Sequence, residues 1–126
     1  MPIISVTSLP FSPAIEVKQI LTKLSLGFAQ QFTIDIAHIS ASWRYFEAHH
    51  YVVAGTSLKY QSVDSHPIMV GLVAPDFTST EELQNMMAFI ASELSNLTGI
   101  NKTNIFIEYR CAKSGWVFDK GEIVNW

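Results

Sequence analysis

The sequence predicts an α+β domain in which two β-α-β units lie side by side as a four-stranded mixed sheet, with both helices on one face. Three observations lead there. The chain repeats itself at a shift of 66 positions, each repeat carries one amphipathic helix, and short apolar strands flank each helix.

The repeat is gapless. Phe11 meets Phe77, Glu16 meets Glu82, Ile34 meets Ile100, Ile39 meets Ile105, Arg44 meets Arg110 and Gly55 meets Gly121. Similar residues pair as well, such as Trp43 with Tyr109 and Tyr60 with Trp126. A single domain over 1–126 is expected, with one repeat at 1–60, the other at 67–126, and "QSVDSH" joining them.

Each helix is read from its stripe. Val17, Ile20, Leu21, Leu24 and Phe28 recur at helical spacing, and so do Leu83, Met86, Met87, Ile90 and Leu94. At helical spacing the two adjacent methionines read as core filler. Ser12 and Pro13 read as an N-cap followed by the first helical residue. "TSTE" from Thr78 to Glu81 reads as a capping box, and Gly99 as the stop of the second helix.

Strands are expected at "IISVTS" (3–8) and "IMVGLVA" (68–74) before the helices, and at "HISASWR" (38–44) and "NIFIEYR" (104–110) after them. A helical crossover joins parallel strands right-handedly. Each half ends in a short tail that Gly55 or Gly121 bends sharply. Helices on one face leave the other sheet face bare. Phe106, with Trp43 or Tyr109, and the apolar tails then need a second subunit to pack against.

Composition narrows the function. Apolar residues make up 48% and charged residues 15%, with a mean hydropathy of +0.22. That supports a real core and, in so small a domain, an apolar surplus suited to an interface. Net charge is −3 and no Lys/Arg cluster occurs, so nucleic acid and anionic membranes are not expected partners. Apolar runs are too short to span a membrane. Cys111 is the only cysteine, and no basic, apolar leader is read, so a cytoplasmic setting is expected.

An N-terminal "MP" opening a strand, two β-α-β units of about sixty residues, and a late "NIFIEYRCAKSGWVFDKGEIV" resemble the tautomerase superfamily. That group includes macrophage migration inhibitory factor, 4-oxalocrotonate tautomerase and 5-carboxymethyl-2-hydroxymuconate isomerase. The resemblance covers nearly the whole chain and rests on Pro2, the 104–110 strand and Gly115–Trp116. It implies a homotrimer without cofactor or metal, and removal of Met1 to free Pro2 as a catalytic base. A free prolyl nitrogen is a secondary amine whose ammonium form is disfavoured by burial. It could take a proton from carbon beside a carbonyl and return it elsewhere in a small carboxylate-bearing substrate.

The chain departs from the resembled pattern. Ser40 stands where dicarboxylate-acting members place an arginine. Phe106 and Glu108 stand where cytokine-type members place a tyrosine and an asparagine, and no lysine lies near Thr33 and Ile34. Arg44 and Arg110 are the remaining arginines for a substrate carboxylate; an ion pair with Glu47 or Glu108 is the other reading. Glu108 reads as a second acid/base group or as such a partner. Trp116 and Phe118 wall a pocket or fill an interface, and Trp126 is expected to pack on a neighbour. His38, His49, His50 and His66 lack metal-ligand spacing. Cys111 reads as a plain thiol.

Two further readings stay open. One is a trimer of the same fold without enzymatic activity that binds a small ligand or a partner. The other is a ferredoxin-like dimer, which shares the element order.

Overall fold

The computed structural model describes residues Met1–Trp126, and its elements recur at the spacing of the sequence repeat. The first half contains β1 (Ile3–Ser8), α1 (Val17–Phe32), a 3-10 turn (Ile36–His38) and β2 (Ser40–Tyr45). A small hairpin follows, of β3 (Val52–Val53) and β4 (Thr56–Ser57). The second half contains β5 (Ile68–Pro75), α2 (Thr80–Thr98), a 3-10 turn (Lys102–Asn104) and β6 (Ile105–Ala112). It closes with a hairpin of β7 (Val117–Asp119) and β8 (Glu122–Val124).

Details of the two halves correspond. Asp35 accepts from the Ala37 amide and Asn101 from the Thr103 amide, each starting its 3-10 turn. The hairpins turn through Ala54–Gly55 and Lys120–Gly121, all four at positive φ. Such turns match the right-handed twist of paired strands, and glycine takes the second position without strain.

The sheet runs β2-β1-β5-β6. β1 is parallel to β2, β5 is parallel to β6, and the two halves meet antiparallel at β1 and β5. The mixed sheet and its two covering helices are those the sequence predicts. Inner residues alternate with outer ones, as period two requires. Ile4, Val6, Ile68, Val70 and Leu72 face the helices and are buried against Ile20, Leu24, Phe28, Met86, Ile90 and Leu94. Each such side chain contributes about 1.5–3 kcal/mol on leaving water. Gly27 lets the helices close in, because a Cβ there would stand 3.1 Å from the Phe89 ring.

Some expectations are corrected. α1 starts at Val17, not at Ser12–Pro13, and Glu16 at its N-cap makes no side-chain cap. The preceding segment carries the chain from sheet to helix layer, and there Phe11 and Ile15 pack on the core. The cap of α2 lies one residue later than expected, with Ser79 accepting from the Glu82 amide at 3.1 Å. Gly99 ends α2 as expected, donating its N–H to Ser95 O. Trp43 and Tyr109 pack toward the helices, so Phe106 is the aromatic residue of the three on the open face. Trp126 also has partners in its own chain, which leaves its packing on a neighbour open: its indole N–H donates to Asp76 at 2.7 Å, and its ring meets Phe77 edge-on.

The segment joining the halves is part of the structure. Asn104 donates to the carbonyls of Ser62 and Ser65, and Gln61 donates to that of His66. His66 is buried, with Nε2 2.7 Å from Thr56 O.

Candidate functional site

Pro2 stands just before β1, and the register of that strand fixes its setting. Its carbonyl accepts from the Ser40 amide at 3.1 Å, which locks the start of β1 against the start of β2. Ile3 points to the open sheet face, so Pro2 points to the helix side and its ring is buried. There it lies against a cleft of about 370 Å³ between the sheet end and the helices. Phe32, Ile34, Phe77 and Met86 supply apolar walls; Asp35, Glu82 and His38 supply ionisable groups. Tyr109 holds one wall by donating to the carbonyls of Ala74 and Pro75, both at 3.2 Å.

A second cleft of about 350 Å³ opens on the other side of the same sheet end. Ser40, Phe118, Asp119 and Lys120 line it, the last three carried in by the C-terminal hairpin. Met1 and His38 line both clefts, so Met1 forms a partition between them. Burial lowers the pKa of the Met1 α-amino group. This end of the sheet therefore disfavours a cation.

The remaining singled-out residues spread over the open face. The strand register sets three rows across the sheet: Ser40–Ile3–Val73–Arg110, then Ser42–Ser5–Gly71–Glu108, then Arg44–Thr7–Met69–Phe106. Arg44 and Arg110 thus share the open face but occupy opposite corners. Arg110 stands level with Ile3, about 10 Å away across two strand spacings. Arg44 lies four residues along β2 from Ser40, about 13 Å. Arg110 Nη2 is 2.9 Å from Glu108 Oε1, so both belong to an exposed ion pair. Phe106, Glu108 and Arg110 rim a shallow hollow of about 290 Å³ over Gly71. Trp116 is exposed beneath Lys113, whose Nζ lies 4.7 Å from the ring centre.

The structure therefore brings Ser40 to Pro2 and leaves Arg44, Arg110, Phe106, Glu108 and Trp116 outside the two clefts within one chain. Sequence reasoning missed Asp35, Phe77 and Met86, which line the cleft with Pro2, and Lys120, which lines the second cleft. It weighed His38 for metal spacing alone.

No family model and no curated protein matches the sequence. Solved structures do match over almost the whole chain. Pt0534 inactivated by 2-oxo-3-pentynoate is 17% identical, with a TM-score of 0.77 over 98% of this chain and 94% of its own. A fused 4-OT described as a symmetric trimer is 14% identical, with a TM-score of 0.79 over 97% and 94%. The macrophage migration inhibitory factor of Trichinella spiralis is 11% identical, with a TM-score of 0.74 over 95% and 97%. The chain has the tautomerase-superfamily fold.

Proposed function

We propose that this protein is a tautomerase-like isomerase that moves a proton between carbon and oxygen of a small carbonyl acid, with Pro2 as general base and the homotrimer as the working form. Removal of Met1 leaves Pro2 as a secondary amine. That amine takes a proton from the carbon beside the carbonyl, the C–H electrons form the enol double bond, and the carbonyl oxygen gains the negative charge. Return of a proton to that oxygen completes the step, and the amine is restored.

One observation carries the reading: Pro2 opens β1 at the floor of an apolar-walled cleft, with its carbonyl pinned by Ser40. Pro2 is itself buried, so a freed Pro2 amine would meet desolvation that favours its neutral form, as burial does for the Met1 amine. Arg110 lies on the open face, outside both clefts and paired with Glu108, so Lys120, which lines the second cleft, is the candidate anchor for a substrate carboxylate.

A non-enzymatic, ligand-binding trimer is the second reading. In it Met1 would stay on the chain, and the acylated Pro2 nitrogen would be no base.

The test is turnover of phenylpyruvate by protein whose intact mass shows Met1 removed. Pro2→Ala is expected to lower kcat/KM about 100-fold, the lower range for loss of a positioned base. Equal rates for parent and variant would leave only the second reading.

A further inference from the structure

The cleft beside Pro2 has a counterpart in the other half of the chain, and there the linker 61–66 occupies it. At the repeat shift of 66, Pro2 corresponds to Ile68, Ile34 to Ile100, Pro75 to Leu9 and Met86 to Ile20. All four counterparts are buried, at 5% exposure or less. The linker is held there mainly through its main chain. The Gln61 amide donates to Pro10 O at 2.8 Å, and the Asn101 amide donates to Val63 O at 3.2 Å. The Asn104 side chain donates to Ser62 O at 3.2 Å and to Ser65 O at 2.9 Å. One contact goes to a linker side chain, from the Leu9 amide to Gln61 Oε1 at 3.0 Å.

The main-chain contacts all have an equivalent at the Pro2 end. Pro10 corresponds to Asp76, Asn101 to Asp35 and Asn104 to His38. The same 3-10 turn sets both donors: the His38 amide donates to Asp35 O at 2.9 Å, and the Asn104 amide donates to Asn101 O at 2.8 Å. Asp76 O and the Asp35 N–H make no hydrogen bond within the chain, and neither does the His38 ring. Leu9 corresponds to Pro75, which has no N–H, so the contact to a side chain is the one that is lost. The approach is also repeated. The linker follows Tyr60, whose counterpart is Trp126, and Trp126 packs on Asp76 and Phe77 at the rim of the Pro2 cleft.

We infer that the Pro2 cleft binds a short extended peptide through its main chain, as the other half binds the linker. A peptide N–H would donate to Asp76 O, and two peptide carbonyls would accept from the Asp35 N–H and from an N–H of the His38 ring. Main-chain contacts supply affinity, and the surrounding side chains select among sequences.

Charge is the selecting feature. Asp35 and Glu82 line the Pro2 cleft, where the other half has Asn101 and Glu16. The additional carboxylate at Asp35 favours a peptide with a basic residue over one with the aspartate of the linker. This binding goes beyond proton transfer and does not rest on it. The peptide covers Pro2 whether or not its nitrogen is a base, and it keeps a small substrate out.

The probes are the end-capped peptide Gln-Ser-Val-Asp-Ser-His and the same peptide with lysine in place of its aspartate. Titrated into the parent protein and into Pro2→Ala, both should shift the Asp35 amide and His38 ring resonances, the lysine peptide at lower concentration. His38→Ala should weaken binding about fivefold, the worth of one hydrogen bond, with an unchanged melting temperature. A tethered form covers weak affinity: the sequence QSVDSH placed after Trp126 has an effective concentration of about a millimolar. It should slow hydrogen exchange at the Asp35 amide, whereas a glycine-serine segment of equal length should not. If the parent turns over phenylpyruvate, the lysine peptide should inhibit competitively. Peptide binding by a protein without turnover would overturn the Pro2 reading and support this one. Turnover that depends on Pro2, with neither free nor tethered peptide moving Asp35 and His38, would overturn this inference alone. Equal binding of the two peptides would overturn the charge argument.

Discussion

At the scale of single residues, Tyr109 links the fold to the site. It corresponds to Trp43 in the repeat, and both rings pack toward the helices while their polar tips reach a hydrogen-bond partner. Trp43 donates to Ser8 Oγ at 2.9 Å, and Tyr109 donates to the carbonyls of Ala74 and Pro75. Burial, with Cys111 and Asp76 adding to it, raises the Tyr109 phenol pKa above the ordinary tyrosine value. A raised folded value means that the fold prefers the neutral hydroxyl. This contribution to stability is complete below the unfolded value of about 10 and is lost as pH climbs through the folded one. Tyr109→Phe is expected to lower the unfolding free energy near pH 8 by about 1 kcal/mol, the worth of a hydrogen bond to partners left behind. The parent should then lose more stability than the variant between pH 9 and 11. Urea titrations at both ends of that range measure the difference, and parallel curves would remove the phenol from the account.

At the scale of elements, both helices were legible because burial follows their stripes: Ile20, Leu24 and Phe28 in α1, and Met86, Ile90 and Leu94 in α2. The start of α1 was not legible. Ser12–Pro13 has the composition of a helix start, yet the tertiary demand that Phe11 and Ile15 reach the core delays the helix to Val17. The site was half legible. Pro2 and Ser40 meet through strand pairing, which the β-α-β order implies. His38 and Lys120 meet at Met1 only because a distant hairpin folds over the sheet end, and no local pattern encodes that. The helix ends give a test that belongs to this scale. Thr33 and Gly99 occupy equivalent positions, and both take the left-handed conformation, at φ 53° and 78°. A β-branched residue pays about 1–2 kcal/mol for that backbone, part of which glycine's lost entropy offsets. Thr33→Gly should therefore raise the unfolding free energy by up to about 1 kcal/mol. Gly99→Thr should lower it by at least as much. Denaturation midpoints of the two variants read the signs directly, and a destabilised Thr33→Gly would show that the Thr33 side chain has a packing role beside Pro2.

At the scale of the whole molecule, the helices cover one sheet face and nothing in the chain covers the other. Ile3, Met69 and Phe106 are partly exposed there, at 36%, 36% and 48%. The C-terminal hairpin adds Trp116 and Phe118, at 78% and 70%. Scattered apolar residues are ordinary on a surface, but a sheet face and an adjoining hairpin exposed together need a partner surface. The open face is also mixed in character, with hydroxyls at Ser5, Thr7, Ser40 and Ser42 and an ion pair at one edge. Such a face suits contact with identical faces around shared water better than burial in a dry core. A closed ring of three copies would give each hairpin a neighbouring edge and leave no edge free. Sedimentation equilibrium at micromolar concentration should accordingly give three times the 14.1 kDa chain mass. Phe106→Asp, which sets a carboxylate in the exposed row beside Met69, should shift that mass toward the monomer while the far-ultraviolet circular dichroism stays that of the parent. Arg44→Ala, in the same row but already polar, should leave the assembly intact. A parent of twice the chain mass would instead favour the ferredoxin-like dimer arrangement. A monomeric parent would mean that the bare face is met by a different protein, and the trimer would have to be abandoned together with any contribution of a neighbour to the Pro2 clefts.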